Sequence, residues 1–230
     1  MKLLAFETAT EACSVALWVD GEVHERYGLA PRRHAELALP WADVLLAGAG
    51  LDRRDLDAVA CGRGPGAFTG VRLAVALTQG IALGLSLPAV GVSTLAALAL
   101  DAGAAEGEHV LAAIDARMGE VYAAEFVRTA DGVEAIGEER LAAPAALELP
   151  RPQRLHGVGS GFATAGGVLL SRLDGALVSV DAAALPRASA VARLAARIHE
   201  AGGGVDPARL EPAYLRDKVA FTLAERDRIR

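Results

Sequence analysis

Between Leu73 and Leu100 the chain has no charged side chain, the longest such gap in its 230 residues. A helix with one face on a sheet and the other in water carries Lys, Arg or Glu on its outer face. The helical part of this run offers only Thr78 and Gln79 as polar groups. It therefore predicts a helix covered on both sides, by its own sheet and by something else. The run is long enough to raise a membrane span, but Pro88 and Gly91 interrupt it and no basic flank orients it, so no membrane is expected. Other absences narrow the field further. No block of Lys and Arg accompanies the net charge of −6, which argues against a protein that grips a nucleic-acid backbone by itself. No apolar stretch of signal-peptide length opens the chain, because Leu3 to Phe6 runs directly into Glu7. The two cysteines, Cys13 and Cys61, lie in strand-like apolar runs without metal-ligand spacing and fit a reduced, cytoplasmic compartment as small buried hydrophobes. The five histidines include no pair spaced for one helix face, so no metal site is expected.

What is present is a folding chain: 53% hydrophobic against 23% charged excludes disorder and suits one or two compact domains. Its pivot is Gly62-Arg63-Gly64-Pro65-Gly66-Ala67-Phe68-Thr69-Gly70-Val71-Arg72, a tight passage from a buried strand, Asp57 to Cys61, into the uncharged helix, Gly70 to about Leu85. Pro88 to Val92 then returns as a parallel strand in a right-handed unit. Before it come two strands, an Asp20-Gly21 turn and a third strand around Glu22 to Tyr27, an antiparallel meander. A helical pattern follows with Leu37, Trp41, Val44 and Leu45 on one face and Pro40 as a kink or restart.

From Val110 to Ala124 the opening is repeated: apolar strand, acidic residue, short turn, apolar strand. Glu7 aligns with Asp115, Val15 with Val121, and Asp131-Gly132 repeats the hairpin turn. A Gly-rich turn at 157–161, a strand near 176–180 and a helix from Ser189 to His199, stopped by Gly202 to Gly204, complete the second half. The expected architecture is α/β with two lobes, each a mixed sheet flanked by helices: residues 1–104, residues 108–204, and a tail, 205–230, whose mixed charges from Arg216 to Arg230 read as a solvated helix, the alternatives being a return to the first lobe or a reach to a partner.

This duplicated plan resembles the superfamily of actin, the sugar kinases and the heat-shock ATPases. Within it, Phe6-Glu7-Thr8-Ala9, Arg33-His34-Ala35-Glu36, the glycine loop with its Phe-Thr-Gly-Val-Arg ending, Asp115 to Tyr122 and Pro212 to Arg216 resemble the TsaB (YeaZ) family. The resemblance implies a non-catalytic subunit of the bacterial complex that makes N6-threonylcarbamoyladenosine at position 37 of tRNAs reading codons that begin with A. It also implies a catalytic paralogue, TsaD, and an ATPase, TsaE, as partners, a homodimer where the paralogue is absent, tRNA only through the complex, and no cofactor. The paralogue's motif places two metal-binding histidines four apart; here Thr94 and Leu98 occupy those places, and neither can hold iron or zinc usefully.

Competing motif readings fail on chemistry. Gly62 to Ala67 matches a dinucleotide fingerprint, but Val92-Ser93-Thr94 brings no acidic residue for the ribose, and no Lys follows the glycines as a phosphate-binding loop requires. Glu7, Thr8 and Asp115 stand where kinases of the superfamily handle magnesium and phosphate. They are the nucleotide candidates of an alternative reading, an independent ATP-dependent small-molecule kinase; the plainer reading is that they anchor loop backbone. His34 and Glu36 read better as helix-start contacts than as an acid-base pair. On the uncharged helix, Ala76, Gly80 and Gly84 make a flat strip beside a ridge of Leu73, Leu77 and Ile81. Such a strip admits another helix at close range, either the preceding one, Leu37 to Leu46, or that of a partner.

Overall fold

The computed structural model describes residues 1–148 and 154–216. Two five-stranded sheets repeat one topology. The first runs β3-β2-β1-β4-β5 and the second β10-β9-β6-β7-β8, so that read from the meander edge each is third, second, first, fourth, fifth strand of its lobe. In the first, β1 (Lys2–Glu7), β2 (Ala12–Val19) and β3 (Glu22–Leu29) form the antiparallel meander, and β4 (Ala58–Gly62) and β5 (Ala89–Val92) add in parallel. In the second, β6 (His109–Arg117), β7 (Glu120–Thr129) and β8 (Gly132–Ala142) repeat the meander, with β9 (Leu155–Val158) and β10 (Leu177–Asp181) in parallel. This is the two-lobed, actin-like plan. Register refines the repeat by one residue: Glu7 faces Ser14 across the meander as Asp115 faces Val121, so Val121 matches Ser14 rather than Val15.

Both faces of the first sheet are buried, which is why its strands alternate between two apolar sets. Leu4, Phe6, Val15, Leu17, Val59 and Cys61 point to a core shared with helices α1 (His34–Gly48) and α2 (Phe68–Leu85). Leu3, Ala5, Ala16, Ala58, Ala60 and Val92 point the other way, onto α5 (Ala188–Glu200). The expected face of α1 shifts: Pro40 neither ends nor restarts the helix, Ala38, Ala42 and Leu46 are its buried residues, and Val44 is exposed.

The last helix of each half packs away from the lobe its sequence position suggests. α3 (Thr94–Leu100), which closes residues 1–104, puts Leu95, Leu98 and Ala99 against Val110, Ala112 and Ile114 of the second sheet. α5, which ends residues 108–204, lies on the first sheet. Together they fill the layer between the sheets. The far face of the second sheet is covered by Phe162, Leu169 on the short α4 (Val168–Arg172), and Leu147.

The tail follows the first lobe. Val205 bridges Ala89, Leu210 enters the core with Leu4 and Phe6, and Gln79 Nε2 donates to the carbonyls of Pro207 and Leu210 at 3.1 Å each. Ala213 N donates to Arg63 O, after which Arg216 reaches the second lobe through the Ala116 carbonyl at 3.0 Å and Glu120 at 2.8 Å. Of the mixed-charge segment from Arg216 onward, residues 217–230 lie outside the described residues.

Candidate functional site

Two places collect the residues singled out by sequence: the cleft between the lobes and the outer face of α2. The cleft, about 850 Å³, is walled by the β1–β2 loop (Ala9, Thr10, Glu11), the start of α2, the β6–β7 turn around Asp115 and Arg117, and the tail at Ala213 to Arg216.

Of the three nucleotide candidates only Asp115 lines it. Its Oδ1 accepts the Arg117 amide at 2.8 Å and its Oδ2 an Arg117 Nη1 at 3.1 Å, which orders the β6–β7 turn. Glu7 is 1% exposed and points into the fold. Its Oε1 accepts the Ala9 amide at 2.7 Å and its Oε2 the Thr94 hydroxyl at 3.0 Å. Burial pushes the carboxyl up to about 7, against the lowering pull of those hydrogen bonds. Thr8 is fully buried and its hydroxyl donates to Gly70 O at 2.7 Å. Glu7 and Thr8 thus fasten the β1–β2 loop to α3 and to the first turn of α2, the anchoring role.

The glycine loop is shaped by the same contact. Gly62 has no room for a side chain because a Cβ there would run into the Glu7 carboxylate, and a Cβ on Gly70 would collide with Thr8 O. The Gly64-Pro65 peptide is cis, and Gly64 N donates to Thr94 Oγ1 at 3.2 Å. The loop is packed against protein backbone. His34 Nε2 lies 3.0 Å from Thr10 O and 3.1 Å from Ala12 O, while Glu36 pairs with Arg33 at 3.0 Å, so both are helix-start contacts.

On α2, Val71, Ala74, Val75, Thr78 and Ala82 are buried, with the Thr78 hydroxyl donating to Ala60 O at 3.2 Å. Length and a mean hydropathy of 1.4 would let this helix cross a membrane; here its inner face is docked on the sheet. The outer face carries the strip. Ala76, Gly80 and Gly84 are exposed, Leu73, Leu77 and Ile81 are half-buried beside them, and Leu83, which sequence reasoning missed, is 56% exposed. A Cβ on Gly80 or Gly84 would meet nothing within 4 Å, so α1 does not cover them.

The second lobe holds a polar chain that no motif announced. His156, 7% exposed, has Nδ1 2.8 Å from Ser179 Oγ and Nε2 2.8 Å from Glu108 Oε2. It arises because β9 and β10 place His156 and Ser179 side by side, and it satisfies both nitrogens of a buried imidazole. Among the described residues no three His, Cys, Asp or Glu side chains form a metal-ligating group. Cys13 and Cys61 are buried, and desolvation pushes their thiols up to about 11 and about 12.

A protein named tRNA threonylcarbamoyladenosine biosynthesis protein TsaB, from Escherichia coli K12, is 41% identical over 226 residues, covering 96% of this chain and 97% of that one. The chain belongs to the TsaB family. The protein of the same name from Haemophilus influenzae is 37% identical over 96% of each chain. A solved structure titled YeaZ, from Pseudomonas aeruginosa, superposes with a TM-score of 0.85 at 39% identity, covering 93% of this chain and 99% of that one. The family model described as TsaD, tRNA N6-adenosine threonylcarbamoyltransferase, matches residues 16–221, which sets this TsaB-family chain beside that transferase as a relative. Thr94 is committed to Glu7 and Gly64, and Leu98 is buried in the core between the lobes.

Proposed function

We propose that this chain takes part in forming N6-threonylcarbamoyladenosine at position 37 of tRNAs as a non-catalytic subunit that binds, stabilises and orients the catalytic paralogue TsaD. The observation that carries this reading is the outer face of α2 beyond Arg72: exposed Ala76, Gly80, Leu83 and Gly84, uncharged from Leu73 to Leu85 and open above both glycines. Water is a poor neighbour for a continuous apolar face, and a strip of small residues lets a second helix come within dispersion contact over several turns. The relatives named for threonylcarbamoyladenosine biosynthesis supply the pathway. Thr94 and Leu98, where the paralogue carries its metal-binding histidines, supply the reason that the chemistry belongs to the partner. The ATPase TsaE completes the assembly, tRNA is met only in the complex, and a second copy of this chain takes the α2 face when the paralogue is absent. The setting is the cytoplasm.

The kinase alternative asks Glu7 and Thr8 to face a bound nucleotide, and both are turned into the fold. Reconstitution of tRNA modification with TsaD and TsaE, each component omitted in turn, tests the proposal: activity should vanish without this chain, and the chain alone should neither hydrolyse ATP nor transfer its phosphate. Full modification in its absence would refute the role.

A further inference from the structure

The interlobe cleft is left unused by that reading, and its chemistry is uneven. Arg32, Arg72, Arg117 and Arg216 line it against two carboxylates, Glu11 and Asp115. Four positive charges less two negative leave the cleft cationic in a chain of net charge −6. Arg117 is taken by Asp115, and Arg216 by Glu120 and the Ala116 carbonyl. Arg32 and Arg72 have no carboxylate within 4.0 Å among the described residues.

Arg72 is held ready. Its guanidinium lies 3.7 Å above the Phe68 ring centroid and 5.5 Å from that of Tyr214, and its Nε donates to Tyr214 Oη at 2.6 Å. Stacking and that one bond fix the plane, the two terminal amino groups make no hydrogen bond among the described residues, and a guanidinium fork so held takes a carboxylate in bidentate fashion at little further entropic cost. Around it, Phe68, Met118 and Tyr214 are 45%, 61% and 50% exposed. Aromatic rings, a methionine and arginines in one concavity are the composition of a protein-binding hot spot.

We propose that the interlobe cleft docks an acidic peptide segment of a partner protein, in which carboxylates alternate with aromatic or aliphatic side chains. Nucleic acid suits it less: two guanidinium groups without a carboxylate partner among the described residues, on an acidic chain, make no track for a phosphate backbone, whereas they match a pair of carboxylates, and the exposed rings match apolar side chains between them. The site is distinct from the α2 strip. Arg72 and Gly80 are eight residues apart on α2, about 12 Å along the axis at 1.5 Å per residue, so a substitution at Gly80 tests the strip without touching the guanidinium.

The test uses the full chain and a fluorescein-labelled hexapeptide alternating glutamate with phenylalanine, read by fluorescence anisotropy. Its controls are the same peptide with lysine for glutamate, and a hexauridylate RNA. Expected is saturable binding of the acidic peptide, at least about tenfold tighter than the lysine version and weakened by salt. Arg72→Ala and Arg32→Ala should each weaken it by about fivefold or more, Tyr214→Ala should weaken it by releasing Arg72, and Gly80→Leu should leave it unchanged. Thermal unfolding checks that each variant folds; should Arg72→Ala fail, the exposed Arg32 decides alone. Equal affinity for the acidic and lysine peptides, undiminished binding in the folded arginine variants, or tighter binding of the RNA would overturn the proposal.

Discussion

The Thr94 hydroxyl donates to Glu7 Oε2 at 3.0 Å, tying the end of β1 to the first turn of α3 across 87 positions of sequence. With Ala9 N on Oε1 and Gly64 N on the same threonine oxygen, one buried carboxyl organises the β1–β2 loop, the glycine loop and the helix between the lobes.

That carboxyl should make stability depend on pH. Unfolded, it ionises near 4.5; folded, burial holds its proton to about 7. Between these values the folded state binds more proton, so unfolding becomes easier as pH rises. The difference of 7 less 4.5 corresponds to on the order of 3 kcal/mol, present in full below about 4.5 and lost as pH climbs through about 7. Glu7→Gln cannot ionise. Urea unfolding midpoints at pH 5 and pH 8 should therefore fall more for the native chain than for the variant, and parallel behaviour of the two would show that Glu7 does not carry this proton.

Two glycines of the same helix should respond in opposite ways to alanine. At Gly70 the new Cβ would strike the Thr8 carbonyl oxygen inside the fold, and backbone cannot swing aside as a flexible side chain can. Gly70→Ala should cost roughly 1–3 kcal/mol or more. At Gly84 the Cβ meets nothing within 4 Å, the site is helical, and alanine loses less backbone entropy on folding, so Gly84→Ala should gain roughly 0.5–1 kcal/mol. Thermal unfolding of the two variants side by side reads the difference.

How much of this was visible in sequence depends on the range of the interaction. The meander, the strand-glycine loop-helix-strand unit and its echo are written in local periodicity and turn residues, and they hold to within a few residues. The bare strip at Ala76, Gly80 and Gly84 was legible because missing charge is itself a local signal. The packing partner of a helix is not. α5 announces a buried face through Ala188, Val191, Leu194 and Ala195, but nothing in those residues says that the face meets the first sheet instead of the second. For Glu7 the plainer of the two readings, an anchor for loop backbone, holds, but its second partner, Thr94, lies 87 positions away and is visible only in the fold. The arginines of the cleft come from four separate segments, so no window of sequence contains them. In the tail, Leu210 enters the core with Pro207 buried beside it, and two such residues in an otherwise polar stretch give no periodic signal.

Gln79 is the clasp on that tail. Its side-chain amide holds two carbonyls, those of Pro207 and Leu210, and a half-buried acceptor that loses its donor keeps most of its desolvation cost. Gln79→Ala should lower global stability by about 1 kcal/mol and, more tellingly, raise amide hydrogen exchange at Val205, Leu210 and Ala213, whose bonds to Ala89, Pro207 and Arg63 depend on the tail staying seated. Exchange confined to α2 with the tail protected as before would place the tail's anchorage at Leu210 alone.

The strip on α2 makes the sharpest demand, because there folding and association should part company. Gly80→Leu adds a side chain into open space on a helix that already forms, and leucine favours helix over glycine by roughly 1 kcal/mol, so the isolated chain should fold at least as stably as before. Against a partner helix seated on Ala76, Gly80 and Gly84, the same side chain occupies the space the partner needs. Overpacking of that kind costs on the order of 1–3 kcal/mol, or about five- to more than a hundredfold in affinity. Titration of TsaD with the native and variant chains, with circular dichroism confirming equal folding, gives the answer. Unchanged affinity in a well-folded variant would remove α2 from the interface, and a loss of binding matched by a loss of folding would mean that the strip faces the chain's own interior.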